Sequence, residues 1–163
     1  MIERIYSTEK KPDKIQHFMV GNQIYTVLAY DVLENADKGW SWVEFLFKGQ
    51  KPDKTTIKTR LENYLNDRCD QNILEGFTWK THPVWLSTEN QINYQRNYDA
   101  VKENEQFLPE IRLGDNTRYK FETQEEYYQF RNEYSNFIDD CLKNCWDDKD
   151  KLDEWIDNLY DEE

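Results

Sequence analysis

The stretch that decides the fold is Ile15–Val32, IQHFMVGNQIYTVLAYDV, in which two apolar runs flank the pair Gly21-Asn22. A two-residue connection of this composition suits a tight hairpin turn with positive φ, because glycine and asparagine pay least for the left-handed region. The runs on either side, Ile15 to Val20 and Gln23 to Val32, alternate or crowd with apolar and β-branched residues and so predict paired antiparallel strands. Downstream, after the loop Glu34 to Gly39, the run Trp40 to Phe47 predicts a third strand. The period of two puts Trp40, Trp42 and Leu46 on one face and Val43, Phe45 and Phe47 on the other. A strand apolar on both faces needs cover on both sides, one side from a helix and the other from the chain itself or a partner. Residues 1–52 are therefore read as an N-terminal β-sheet region.

Outward from that sheet the pattern turns helical. Gly49 to Lys54, with Pro52, interrupts the strand pattern, and Asp53 or Thr55 can cap a helix to about Leu74, with Ile57, Leu61, Tyr64, Leu65 and Arg68 at three- and four-residue steps and Gly76 beyond its end. Two short strands, Phe77 to Trp79 and Val84 to Leu86, surround Lys80 to Pro83. Ser87 or Thr88 then caps a helix from Glu89 to about Gln106, with Ile92, Gln95, Tyr98 and Val101 on one side. A second hairpin, Ile111 to Leu113 and Arg118 to Phe121, turns through Gly114-Asp115-Asn116-Thr117. Thr123 and Glu126 form a capping box for a helix carrying Tyr127, Phe130, Tyr134, Phe137, Ile138, Cys141 and Leu142. Asp147 or Asp148 is expected to cap a separate last helix holding Leu152, Trp155, Ile156 and Leu159. The class is α+β: a small antiparallel sheet and hairpins packed with three to four amphipathic helices, the C-terminal part mainly helical. Residues 53–163 are expected to pack with the N-terminal sheet as one compact unit.

Composition limits what such a chain does. Its 163 residues suffice for one ordinary domain, and with 15% aromatic residues, six Trp and eleven Tyr among them, the core is expected to be built from rings. Residues 1–85 hold 12 Lys/Arg and 12 Asp/Glu while residues 86–163 hold 9 and 21, so the whole net charge of −12 lies downstream of Trp85. Between Asp139 and Glu163 there are 11 acids against three lysines, a net of −8. A surface of that sign repels nucleic acid and anionic lipid, so neither is an expected partner. The charged Met1 to Lys14 segment lacks the apolar block of a secretory signal, and three cysteines suit a reducing compartment, so synthesis in the cytoplasm is expected.

The chemistry-bearing residues do not assemble into a familiar catalytic pattern. Cys141 and Cys145 stand one helical turn apart, but Cys69, His17 and His82 are scattered, so no metal site is expected. His82 next to Pro83 has no nucleophile elbow near it. Asp147-Asp148-Lys149-Asp150 and Asp115-Asn116 lack the glycine and distal glutamate of a calcium loop, and no phosphate-cradling glycine motif occurs. The expectation is a non-enzymatic protein without cofactor. Trp40, Trp42, Phe45 and Phe47 are the aromatic candidates for a protein contact, because interface cores favour such rings. Asp147, Asp148, Asp150 and Trp155 are the candidates for a second, charged contact.

From about residue 57 to 145 the order of features resembles a domain of unknown function found in tailed-bacteriophage tail fibre and tail-associated proteins. The matching pieces are Ile73-Leu74-Glu75-Gly76-Phe77, Val84-Trp85-Leu86-Ser87, Asn90-Gln91 with Asn93, Leu108-Pro109, the turn at Gly114-Asp115 and Phe121-Glu122-Thr123. The chain departs from that family in being rich in Asn, Tyr, Trp and acids instead of alanine. The resemblance implies no catalytic residue. It implies a virion or tail-assembly protein made in the bacterial host cytoplasm, acting as a structural or adaptor component on other phage structural proteins or on further copies of itself. The charge suggests a different role, an acidic mimic of nucleic acid that inhibits a host enzyme, and the phage setting also allows a tail-assembly chaperone, which differs from the structural reading only in being absent from the finished particle.

Overall fold

The computed structural model describes residues 4–7, 10–36, 39–104 and 106–159. It is an α+β protein whose elements fall into two units, one of residues 1–60 with 152–163 and the other of residues 61–151.

The first unit is built on a four-stranded antiparallel sheet of order β1-β4-β3-β2, with β1 at Arg4–Ser7, β2 at Ile15–Val20, β3 at Gln23–Asn35 and β4 at Gly39–Lys48. The β2–β3 hairpin turns at Gly21-Asn22 as the sequence predicts, with Gly21 at φ 61° and Val20 opposite Gln23. Strand β1 was not expected, since four residues in a charged segment carry too little periodicity to read. It pairs Ile5 with Trp42 and Ser7 with Trp40.

Strand β3 also runs three residues beyond its expected end, through an irregularity between Tyr30 and Leu33 where it gains one residue on β4. Asp31 takes φ 54° there, and Arg4 holds it through an ion pair and a 3.0 Å bond from Nη1 to its carbonyl. The same guanidinium donates to the Ser41 hydroxyl at 3.0 Å, which also accepts from Asn35 Nδ2 at 3.0 Å, so the buried hydroxyl is satisfied.

Register places Tyr30 opposite Val43, Leu28 opposite Phe45 and Thr26 opposite Phe47 on one side of this sheet. Leu28, Val43 and Phe45 are buried there. The first turns of helix α1 (Lys54–Glu75) add buried Ile57, and the last turns of helix α3 (Gln124–Asp157) add buried Leu152 and Ile156. Trp155 packs edge-on against Tyr30, ring centroids 5.2 Å apart, which seats the end of α3 on this side of the sheet. Helix α1 opens with Asp53 accepting from the Thr56 amide at 2.7 Å, the expected cap.

The second unit is organised around aromatic rings. Strands β5 (Phe77–Trp79) and β6 (His82–Val84) form one hairpin, and β7 (Glu110–Arg112) and β8 (Arg118–Lys120) another. Phe130 of α3 lies within 5.3–6.2 Å, centroid to centroid, of Tyr94, Trp79, Phe121, Tyr134 and Phe77. Such tilted and edge-on pairs suit the ring quadrupoles, and the expected ring-built core is present here.

Three sequence expectations need correction in this unit. Strand β6 begins at His82, because Lys80 and Thr81 both take positive φ, 45° and 72°, and close a two-residue turn. Helix α2 (Thr88–Glu103) buries Tyr94 and Val101 and leaves Ile92 exposed, so its inner face is rotated from the expected one. Its cap is Ser87, whose Oγ accepts from the Asn90 amide at 3.2 Å.

The third concerns α3, which runs unbroken for 34 residues with no break at Asp147 or Asp148. There is neither glycine nor proline from Gln124 to Asp157, and Tyr127, Phe130, Tyr134, Cys145, Leu152 and Ile156 are buried at spacings that keep one stripe inward. Aspartates favour caps, but they do not end a helix whose inner face continues. Among the described residues there are three helices.

Candidate protein-docking face

The eight residues singled out by sequence separate into different environments. Phe45 is 2% exposed and belongs to the helix-covered side of the first sheet, with Phe47 half-buried on the same side. Trp40 and Trp42 point to the other side, half-buried, with Glu44 and Leu46 exposed further along β4. This open side continues across β3 and β2 through Val27, Tyr25 and Phe18, because Val27 lies opposite Leu46 and Phe18 opposite Tyr25. The Phe18 and Tyr25 rings stack at 5.5 Å and 10°.

Residues Lys10–Asp13 partly roof the open side. Together with Val27, Ala29, Trp42 and Glu44 they line a groove of about 170 Å³, and the Lys11 ammonium sits 5.2 Å from the Trp40 ring centre. The groove has an apolar floor of Val27, Ala29 and Trp42 and walls of mixed charge from Lys10, Lys11, Asp13 and Glu44.

At the far end of the sheet the hairpin tip exposes Phe18, Met19, Val20 and Ile24. Sequence reasoning assigned these to a hairpin and passed over them as a surface. The signal was present, since no Lys, Arg, Asp, Glu or Pro lies between Ile15 and Val20 to mark a wet edge.

The charged candidates have different immediate partners. In the second unit Asp147 is exposed, Asp150 is exposed, and Asp148 is paired with Arg68. In the first unit Trp155 is engaged with Tyr30. Asp153 and Asp157 of α3 pair with Lys58 and Lys54 of α1 at 2.5 and 3.0 Å. These are exposed pairs, each worth little in stability, but they spend three α3 carboxylates, with Asp148, on the chain's own cations.

Three other clusters carry chemistry-bearing groups. Lys80 pairs with Glu126 and donates to the Tyr119 hydroxyl at 2.7 Å, while Glu126 also accepts from the Glu122 amide at 2.8 Å. The bonds to Glu126 and then Tyr119 raise the Lys80 pKa. For Glu126, burial pushes upward, but the bonds from Lys80, Tyr119 and the Glu122 amide outweigh it and hold the carboxyl below its ordinary value. The triad links the β5–β6 turn and strand β8 to the start of α3. His82 Nδ1 lies 2.8 Å from Asp115, and that bond, with the Thr117 amide, lowers the Asp115 pKa to about 2.

The cysteines meet between α1 and α3 within the second unit. Cys69 Sγ donates to the Cys141 carbonyl at 3.6 Å and Cys145 Sγ to the Leu65 carbonyl at 3.7 Å, beside a cavity of about 60 Å³. Burial, and then Cys145, push the Cys69 thiol up to about 11. Among the described residues no group of three or more His, Cys, Asp or Glu side chains is placed to hold a metal ion.

Among known proteins, the chain matches no family model, no curated protein and no solved structure. What fold and site define is an α+β protein with an aromatic, partly roofed open sheet face.

Proposed function

We propose that the chain is a non-enzymatic protein-binding component of a tailed-phage particle, a structural or adaptor protein that docks through the open face of its N-terminal sheet. The observation that carries this reading is the open face itself: Trp40, Trp42, Leu46 and Phe18 on one side of a sheet whose other side is already covered by helix. Flat aromatic faces of this kind provide contact area at low entropic cost when a partner covers them. The phage setting rests on the resemblance over residues 57–145. The pairing of Asp148, Asp153 and Asp157 with Arg68, Lys58 and Lys54 favours docking over mimicry of nucleic acid, which needs its acids unspent.

The test is mass spectrometry of purified particles made with wild-type chain and with Leu46→Lys, a change at an exposed position. The wild-type chain is expected in the particle and the variant, folded by circular dichroism, depleted from it. Absence of the wild-type chain would point to an assembly chaperone. Undiminished incorporation of Leu46→Lys would remove the open face from the contact. Capture of a basic host enzyme that salt releases would instead support the inhibitor reading.

A further inference from the structure

We propose that β2 is a pairing edge at which a second copy of this chain adds its own β2, so that two four-stranded sheets join into one. The inference rests on the reading of the chain as a protein-binding protein and adds a partner at the edge of the sheet, which shares Phe18 with the open face.

Strand β2 is the outermost strand of its sheet, and no described strand lies beyond it. The Ala29 amide donates to the Lys14 carbonyl at 3.0 Å, which fixes the ladder's phase: from there the even-numbered residues of β2 exchange bonds with β3, and the main-chain groups of the odd-numbered ones, Ile15, His17 and Met19, point outward. Side chains at the strand's end are exposed on both faces at once. Phe18 and Val20 are 44% and 58% exposed on the open side, and Met19 and its cross-strand partner Ile24 are 68% and 41% exposed on the other.

A partner lying flat on either face would cover one pair and leave the other wet. A strand added at the edge flanks both, because its side chains alternate in step with those of β2.

Charge selects a second copy as the added strand. In an antiparallel pair related by a two-fold axis, residues near the axis meet their own kind, so a strand bearing Lys, Arg, Asp or Glu would oppose like charges. Ile15–Val20 bears none of these, although a third of the chain is charged. The devices that ordinarily keep edge strands apart, an outward lysine, a proline or an inward charge, are missing from this strand. A closed pair consumes both copies of β2 and so ends at the dimer.

Sedimentation velocity of the full chain from low to high micromolar concentration tests the proposal. Wild-type chain is expected to shift from monomer to dimer, and more readily as salt is raised, because each copy carries −12 and screening relieves their repulsion. Met19→Lys is at an exposed position on the side away from Trp42, so fold and open face stay intact. It is expected to weaken the dimer on the order of twofold to fivefold, the size of one unfavourable cross-strand pair. Phe18→Lys with Met19→Lys is expected to abolish it. A wild-type chain monomeric at every concentration overturns the proposal, whatever its fate in particles. So does a dimer whose affinity the double variant leaves unchanged while circular dichroism shows the fold intact, or one that salt dissociates.

Discussion

The Tyr127 hydroxyl of α3 donates to the main-chain carbonyl of Tyr94 in α2 at 2.6 Å, with both residues buried. Burial, and then the neighbouring Tyr134, raise the Tyr127 pKa, and the same causes push Tyr94 up to about 12. Tyr127→Phe keeps the ring contacts with Phe121 and Phe130 and removes only the bond, so a stability loss of about 1 kcal/mol is expected in urea unfolding. A loss several times larger would mean that the ring had moved as well.

At the end of α1, Gly76 is required by space. A Cβ there would stand 2.5 Å from the Asn72 carbonyl oxygen and 2.9 Å from Cζ of Phe137, and the carbonyl is main chain that also accepts the Gly76 amide at 2.8 Å. Gly76→Ala is expected to cost on the order of 1–3 kcal/mol, the usual size of overpacking, read as a lowered denaturant midpoint. Gly21→Ala tests a different cause. Nothing lies within 4 Å of its Cβ position, but φ is 61°, so strain at the turn and a loosened β2–β3 hairpin are the expected effects.

Arg4 serves Asp31, whose backbone is left-handed, and buried Ser41 at once. Arg4→Met retains the aliphatic stem and leaves those oxygens without the guanidinium, at an expected cost of about 1–2 kcal/mol. Asp31→Asn, which tolerates the same φ and keeps an acceptor, is expected to cost less. Comparison of the two by thermal unfolding separates the charge from the conformation. Equal losses would show that the ion pair, not the bond network, holds the irregular stretch of β3.

How legible each element was follows from where its determinant lies. Gly21-Asn22 states its turn in two residues, and the capping box of Thr123 and Glu126 states a helix start in four. The Lys80-Thr81 turn does not announce itself, since neither residue favours positive φ, and the pairing of Phe77 with Val84 imposes it. Ile92 suits an inner face by composition, yet Tyr94 takes that place because Phe130 and Tyr134 offer ring edges to it. Trp40 and Trp42 were separable from Phe45 and Phe47 by alternation. Which pair would be open depended on where the end of α3 lies on the sheet, a non-local fact. The acids of α3 read as one run, but only the structure shows that Asp148, Asp153 and Asp157 have partners on α1.

The Cys69 thiol gives the clearest dependence on pH. Its folded value of about 11 lies above the ordinary 9.0, so between those values the folded chain holds a proton that the unfolded chain releases. The stability this contributes is fully present below about pH 9 and is lost as the pH rises toward 11. Cys69→Ala is expected to flatten that alkaline limb, while its own small cavity lowers stability equally at every pH. In the native protein at pH 8 the thiolate fraction of Cys69 is roughly a hundredfold below that of an unshifted thiol, so alkylation by iodoacetamide is expected to be slower by about that factor. Cys141, half-buried and raised chiefly by burial, is expected to react before it. Peptide mapping of the alkylated protein reads the order directly, and rapid labelling of Cys69 in folded protein would show that its pocket opens to solvent.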